Sequence, residues 1–101
     1  MWYNLPGSPT RYAKIAEALW ENVEGLTTLE AAERSVSVVR ELSAAIGIPQ
    51  TLAEFGVREA DCDAMAPGGV SATRLISNNP RAMTERDAAL IYRHALFGTL
   101  W

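Results

Sequence analysis

The sequence predicts an all-α protein: a small irregular bundle of about five helices that forms a single domain over residues 1–101. Apolar residues recur at helical spacing in three long stretches, each bounded by residues that favour helix starts or helix ends. No stretch alternates polar and apolar residues strictly over the length of a strand. Because the connections are short, we expect the long helices to pack as roughly antiparallel neighbours.

The first helix is predicted from Thr10 to about Trp20. Its apolar stripe has the i, i+3, i+4, i+7 spacing of an amphipathic helix and consists of Tyr12, Ile15, Ala16 and Leu19. The preceding residues 1–9 contain two prolines and a glycine. Such a composition is typical of irregular structure, so an irregular lead-in is predicted there.

A long second helix is predicted after a capping sequence, in which the Thr27 hydroxyl and the Glu30 carboxylate can each satisfy a free backbone N–H group. Its apolar stripe consists of Leu29, Ala32, Val36 and Val39, widened by Val38, Leu42, Ala45 and Ile46. Gly47 and Pro49 are predicted to end the helix, because glycine accepts the left-handed C-cap conformation and proline cannot continue a helix.

Two shorter helical segments are predicted next. Thr51 and Glu54 repeat the capping pattern and Gly56 follows within about one turn, which predicts a short helix or helical turn. Residues 58–66 are rich in helix formers and acidic residues, and a further helix is predicted there. The sequence Pro67-Gly68-Gly69 is predicted to stop that helix in a turn where the chain reverses.

The last third of the chain contains two more predicted helices. A short one covers residues 70–76 and is broken by Asn78-Asn79-Pro80. The last helix begins at the capping sequence of residues 84–87, and Gly98 is its predicted C-cap. Its apolar stripe consists of Ala88, Ile91, Tyr92 and Ala95.

The composition excludes several classes of function. With 49% hydrophobic and 21% charged residues, the chain is typical of a globular domain. A formal net charge of −3 provides no positive field for a phosphate backbone, so we expect no nucleic-acid partner. No apolar run approaches the roughly 20 residues that span a bilayer, and residues 1–10 lack signal-peptide features. We therefore expect no membrane association and a cytoplasmic location.

Two potentially reactive side chains occur once each. Cys62 is the only cysteine, which excludes an internal disulfide and a multi-cysteine metal site, and we interpret it as a passive thiol. His94 is the only histidine, and its neighbours at helical spacing, Leu90 and Phe97, are apolar. We interpret it as a partly covered structural residue rather than a base or a metal ligand.

Other patterns also favour structural roles. Glu59, Asp61 and Asp63 lack the donor spacing of a calcium loop, so they are expected to favour a helix N-terminus or to stay solvated. The Pro67-Gly68-Gly69 sequence lacks the lysine and hydroxyl residue of a phosphate-binding loop. None of the serines lies in a glycine-flanked nucleophile elbow; they are Ser8, Ser35, Ser37, Ser43, Ser71 and Ser77.

The three tryptophans are the best candidates for contact with a partner. Trp2 and Trp101 lie near the termini, and Trp20 lies at the end of the first predicted helix. A core of this size can hardly cover every large apolar side chain, and tryptophan is enriched at association surfaces. Packing in the core remains the alternative interpretation for each of them.

Several segments occur in the order and spacing typical of one family: Tyr3-Asn4, residues 11–19 and 26–33, Gly47-Ile48-Pro49 with Thr51-Leu52, Phe55-Gly56-Val57, and Asn79-Pro80-Arg81. On these segments, which cover nearly the whole chain, the sequence resembles the iron-containing alcohol dehydrogenases. It departs from that family at Trp20, where a glycine is common, and at Pro67-Gly68-Gly69, where helical residues are usual.

The resemblance implies a C-terminal helical domain. Family members have an N-terminal α/β part that binds NAD or NADP and a helical part that holds iron, or another divalent metal, through one Asp and three His. This chain is expected to begin just after the last of those histidines. The resemblance therefore assigns no catalytic, cofactor-binding or metal-binding residue here, and it implies only Leu75 as a residue lining the substrate cleft of an intact relative.

Two functions follow as hypotheses. The first is a scaffold domain or fragment of an iron-dependent alcohol dehydrogenase, which transfers hydride between an alcohol and NAD(P) in the intact enzyme and is inactive alone. The second is a free-standing helical interaction module that self-associates. The expected partner is accordingly either a missing N-terminal domain or further copies of this chain.

Overall fold

The computed structural model describes residues 1–99, and these contain helices and no strand. Five α-helices are present: α1 (Pro9–Ala18), α2 (Thr28–Ala45), α3 (Glu59–Ser71), α4 (Thr73–Ile76) and α5 (Glu85–Phe97). Two 3-10 helices, Trp2–Gly7 and Leu52–Phe55, complete the secondary structure. The predicted all-α fold is confirmed.

The chain divides into two compact units, Met1–Ile48 and Pro49–Trp101. In the first unit α1 packs against α2, and the N-terminal 3-10 helix contacts both. In the second unit α5 packs against α3 and against the second 3-10 helix. The single domain predicted over residues 1–101 stays a prediction.

The core of the first unit is built around small residues of α2. Leu5 of the N-terminal 3-10 helix is buried against Ala32 and Val36. Trp2 and Tyr12 are partly buried and pack on this cluster. The alanine in α2 lets the neighbouring chain approach closely, so a single leucine can fill the space between them.

The N-terminal segment corrects a sequence-based expectation. Residues 2–7 form a 3-10 helix rather than an irregular lead-in, and α1 begins at Pro9. Proline suits the first position of a helix because its missing N–H group would have no intrahelical partner there. Burial of Leu5 provides the apolar contact that holds this segment in place. The prediction of an irregular lead-in is therefore wrong.

The core of the second unit is also built from small residues. Ala66 of α3 and Ala88 and Ala89 of α5 are buried together. Val70, Met83 and Tyr92 are partly buried and pack against this cluster.

The predicted turn at residues 67–69 is wrong, because α3 continues through Pro67 and ends at Ser71. The close approach of α5 explains why a glycine fits inside this helix. A Cβ atom added at Gly69 would lie 2.6 Å from the Tyr92 hydroxyl oxygen, whereas a Cβ at Gly68 would meet nothing within 4 Å. The short helix predicted over residues 70–76 is correspondingly shorter and begins at Thr73.

Four helix ends have a residue with positive φ at the C-cap or directly after it. After α2, Gly47 N–H donates to the Ala44 carbonyl and Ile48 N–H to the Ser43 carbonyl. This is the Schellman arrangement, which favours glycine because its left-handed conformation costs other residues energy. Gly56 and Gly98 also have positive φ at helix ends, and Gly98 confirms the predicted cap of α5.

The end of α1 has the same arrangement with tryptophan in the glycine position. Trp20 N–H donates to the Glu17 carbonyl and Glu21 N–H to the Ala16 carbonyl. The φ angle of Trp20 is 69°, and it is the one non-glycine residue in the described part of the chain with positive φ. α1 therefore ends at Ala18, two residues before the predicted end. Trp20, which follows, has a left-handed backbone conformation that is strained for a residue other than glycine.

Candidate functional site

His94 lies in the last turn of α5, where it is half-buried. Its Nδ1 atom is 2.8 Å from the Thr99 hydroxyl oxygen, a hydrogen-bond distance. The His94 carbonyl also accepts the Gly98 and Thr99 N–H groups that close the helix. Side chain and backbone of this histidine thus both help to terminate α5, as the interpretation of a partly covered structural residue expects.

Cys62 is fully buried in α3, with none of its surface exposed. Its Sγ atom lies 3.8 Å from the Arg58 carbonyl oxygen, a weak hydrogen bond within the same helix. A thiol without solvent access cannot reach a soluble oxidant or a metal ion. The buried position supports the interpretation of Cys62 as a packing residue.

The acidic residues at the start of α3 are engaged in two different ways. Asp61 accepts a hydrogen bond from the Arg58 N–H group at 2.9 Å and pairs with the Arg58 guanidinium at 3.1 Å. These hydrogen bonds, the side-chain one first, hold the pKa of Asp61 below its usual value. Asp63 instead pairs with Arg93 of α5 at 2.7 Å. Asp61 stabilises the helix start, and Asp63 links two helices.

The same use of carboxylates recurs at other helix starts. Glu30 accepts the Thr27 N–H group at 2.7 Å, and Glu54 accepts the Thr51 N–H group at 2.9 Å. In both residues this backbone hydrogen bond is the main cause of a pKa below the usual value. These two glutamates are caps, as predicted, and they are exposed on the surface.

A shallow depression of about 320 Å³ lies between α3 and α5. It is lined by Asp63, Ala66, Glu85, Arg86, Ala89 and Arg93. Its charged groups are two carboxylates and two guanidiniums, and one of each is already joined in the Asp63–Arg93 ion pair. Neither His94, Cys62 nor Leu75 lines it, so the structure does not bring the sequence-predicted residues together here.

The serine hydroxyls that could act as nucleophiles bond to the backbone of their own helices. Ser35 is fully buried and donates to the Ala32 carbonyl at 2.6 Å. Ser43 donates to the Val39 carbonyl at 2.8 Å, and Ser71 to the Gly68 carbonyl at 3.0 Å. This back-bonding is typical of serine inside helices and prepares none of these oxygens for attack.

Two of the residues singled out from the sequence are strongly exposed. Leu75, on α4, exposes 71% of its surface, and Trp20 exposes 92%. Trp2 is half-buried against the core of the first unit. Trp101 lies outside the described residues. Exposure of large apolar side chains identifies Leu75 and Trp20 as the best candidates for contact with another part of a protein.

The described residues 1–99 contain neither a cluster of metal donors nor a membrane-spanning helix. No three His, Cys, Asp or Glu side chains in this range lie close enough together to hold a metal ion. No helix among these residues is both long and apolar enough to cross a bilayer.

Sequence comparison identifies relatives of this chain. The profile of the Fe-containing alcohol dehydrogenase family, C-terminal, matches residues 1–96. Over 93 residues the chain is 44% identical to the 1,3-propanediol dehydrogenase of Klebsiella pneumoniae, covering 92% of this chain and 24% of that protein. Over 94 residues it is 39% identical to the NAD-dependent methanol dehydrogenase of Bacillus methanolicus. This match covers 93% of this chain and 24% of that protein.

Structure comparison gives the same result. A crystal structure of 1,3-propanediol oxidoreductase matches with a TM-score of 0.89 and 41% identity, over 93% of this chain and 24% of that one. The alcohol dehydrogenase of Oenococcus oeni matches with a TM-score of 0.87 and 35% identity, at the same coverage. The chain thus spans about a quarter of the length of these relatives. It belongs to the Fe-containing alcohol dehydrogenase family and corresponds to the helical C-terminal domain of that family.

Proposed function

We propose that this chain is the helical scaffold of an iron-dependent, NAD(P)-linked alcohol dehydrogenase and has no turnover by itself. In the intact enzyme, hydride would pass between an alcohol and the nicotinamide. Relatives named as 1,3-propanediol dehydrogenase and NAD-dependent methanol dehydrogenase support this reaction class. A cytoplasmic location belongs to the same proposal.

The observation that carries the proposal is the state of the groups that could do chemistry. His94 contacts Thr99, Cys62 is enclosed in α3, and Asp63 pairs with Arg93. These donors are dispersed, and no three candidates in residues 1–99 converge. The described residues therefore do not fit an iron site.

The test is an assay of the isolated 101-residue chain with 1,3-propanediol, NAD and ferrous iron. We expect NADH to form no faster than in a sample without protein. On this proposal the chain has no site that binds NAD, the hydride acceptor, and no site that binds iron. The intact Klebsiella pneumoniae 1,3-propanediol dehydrogenase, assayed in parallel, should reduce NAD. Turnover by the isolated chain that is lost on adding a chelator would contradict the proposal.

The role proposed for Leu75 can be tested in the same assay with a chimera, in which this chain replaces the matching quarter of the Klebsiella pneumoniae enzyme. Leu75 exposes 71% of its surface in the isolated chain, as a cleft residue would without its neighbours. In the chimera, Leu75→Ala should change kcat/KM for the alcohol by about tenfold or more. Leu42→Ala, at another exposed leucine, should not. An equal effect of both substitutions would remove Leu75 from the proposed cleft.

A second candidate function, self-association of a free-standing module, is favoured by the exposed apolar side chains. Trp20, Ile46 and Phe55 each expose more than half of their surface. Exposed apolar patches of more than a few hundred Å² on a monomer typically mark interaction sites, and a second copy is the simplest partner. Light scattering over a range of concentrations should show an increase in mass. A constant monomer mass at high concentration would exclude this function.

A further inference from the structure

Exposed apolar side chains lie at the end of the first unit where α1 is connected to α2. Residues 19–27 form this connection. Trp20 exposes 92% of its surface, more than any other large apolar side chain in the part of the chain that the structure describes. Three leucines at the same end are also exposed. We call these four residues the connection patch; they are Leu19, Trp20, Leu26 and Leu29.

The backbone that carries the patch is held by specific bonds. Trp20 N–H donates to the Glu17 carbonyl, and Glu21 N–H donates to the Ala16 carbonyl. The Arg34 guanidinium binds the Glu21 carboxylate and so ties the connection to α2. The indole is therefore presented on an ordered backbone, and a partner that binds it has less conformational entropy to remove than on a loose loop.

The charge around the connection patch is negative. Residues 15–33 contain five glutamates and no lysine, arginine or histidine. Arg34 neutralises Glu21, but Glu17 and Glu24 are exposed and form no ion pair with any residue in the range 1–99. Two carboxylates without a compensating cation thus flank Trp20 along the chain.

This charge indicates what kind of partner fits the patch. Two copies that met through it would bring their glutamates together, which costs energy. Four apolar side chains are also far fewer than the roughly 20–30 residues that each protein contributes to a standard interface. A short segment with lysine or arginine would instead neutralise both carboxylates, and its cation could lie on the face of the exposed indole.

The conformation of Trp20 is consistent with a binding role. Its φ angle of 69° lies in the left-handed region, which glycine occupies without strain and a bulky residue does not. Tryptophan at this position destabilises the free chain, and at 92% exposure its ring gains little from burial in return. Strained residues of this kind are concentrated at functional sites, including those that clamp a ligand.

We propose that the connection patch binds a short cationic segment of a partner protein. Apolar side chains of that segment cover Trp20 and the three leucines, and its lysine or arginine side chains pair with Glu17 and Glu24. This binding goes beyond the scaffold function and does not depend on hydride transfer.

Fluorescence anisotropy with labelled synthetic peptides tests the proposal. The probe is an amphipathic helical peptide of about 15 residues, made of leucine and lysine. The comparison peptide has glutamate in place of every lysine. At low salt the 101-residue chain should bind the lysine peptide at least about tenfold more tightly than the glutamate peptide. Added salt should weaken this binding, because the charges involved are exposed.

Variants of the chain locate the binding. Trp20→Ala should weaken binding of the lysine peptide by about tenfold or more, as removal of an aromatic anchor does. Glu17→Gln combined with Glu24→Gln should weaken it by about threefold and reduce its salt dependence. The matched control combines Leu42→Ala with Glu41→Gln, which changes an exposed leucine and an exposed carboxylate near the other end of α2. This control should leave the Kd unchanged.

Several results would overturn the proposal. Equal affinity for the two peptides, or no binding of either, would show that charge does not select the partner. An unchanged Kd in Trp20→Ala, or an equal loss in the control, would place the binding elsewhere on the chain.

Two further measurements identify a different occupant. A mass that rises with concentration and no longer does so in Trp20→Ala would mean that a second copy covers the patch. Loss of peptide binding in the chimera with the Klebsiella pneumoniae enzyme would mean that the rest of the enzyme covers it. None of these results bears on whether the isolated chain turns over alcohol, so this proposal and the scaffold function can fail separately.

Discussion

Replacing Leu5 with alanine should lower the free energy of unfolding by about 2–5 kcal/mol, the range for removing a buried leucine side chain. Leu5 is 3% exposed and packs against Ala32 and Val36. The side chain of Ala32 is too short to fill the space that the leucine would leave, so a cavity would remain. Urea unfolding followed by circular dichroism should show a lower midpoint with an unchanged slope.

Leu42→Ala provides the matched control, because Leu42 is in the same unit and is 54% exposed. Removal of the Leu42 side chain should lower the free energy of unfolding by about 1 kcal/mol or less, because much of this side chain is already exposed to water. If the two variants unfolded at the same urea concentration, the N-terminal 3-10 helix would not be packed on α2 in solution. A reduced slope for Leu5→Ala alone would instead indicate a change in the extent of unfolding.

Leu5 also illustrates why part of the fold could not be predicted from the sequence. The capping boxes of α2 and α5 depend on residues three positions apart, so Thr27 and Thr84 identified those helix starts correctly. The burial of Leu5 depends on Ala32, which is 27 positions away in the chain. No local pattern around Leu5 reports that contact, and the adjacent Pro6 and Gly7 favoured an irregular segment.

The error at residues 67–69 has the same origin. Proline and two glycines favour a turn when only neighbours along the chain are considered. The structure continues the helix because α5 packs against it, with the Tyr92 hydroxyl in the space that Gly69 leaves open. Propensity was thus outweighed by a contact between residues more than 20 positions apart.

For the candidate site, the sequence drew attention to individual residues but did not predict which residues they contact. The structural roles expected for Cys62 and His94 stay predictions; they rest on each residue type occurring once and on its apolar or helical surroundings. The Asp63–Arg93 ion pair was missed, since its members are 30 positions apart and no spacing rule connects them. The left-handed conformation of Trp20 was not predicted, although a glycine is common at this position in the family.

Trp20→Gly should raise the free energy of unfolding by about 1 kcal/mol, which is unusual for the removal of a tryptophan. A non-glycine residue in the left-handed conformation costs about 1–2 kcal/mol, and the greater freedom of glycine in the unfolded chain offsets part of this gain. The indole is 92% exposed, so its removal sacrifices little packing. Thermal and urea unfolding at low protein concentration should both show increased stability.

Trp20→Ala separates the backbone from the indole. Alanine removes the same ring but keeps a Cβ at a φ angle of 69°, so stability should change by about 0.5 kcal/mol or less. Equal stabilisation by both variants would show that the exposed ring, rather than the backbone, is unfavourable. Destabilisation by both would mean that the indole makes contacts in solution worth more than the strain. Because a self-associating chain could provide such contacts, the same two variants should then also lower the mass measured by light scattering.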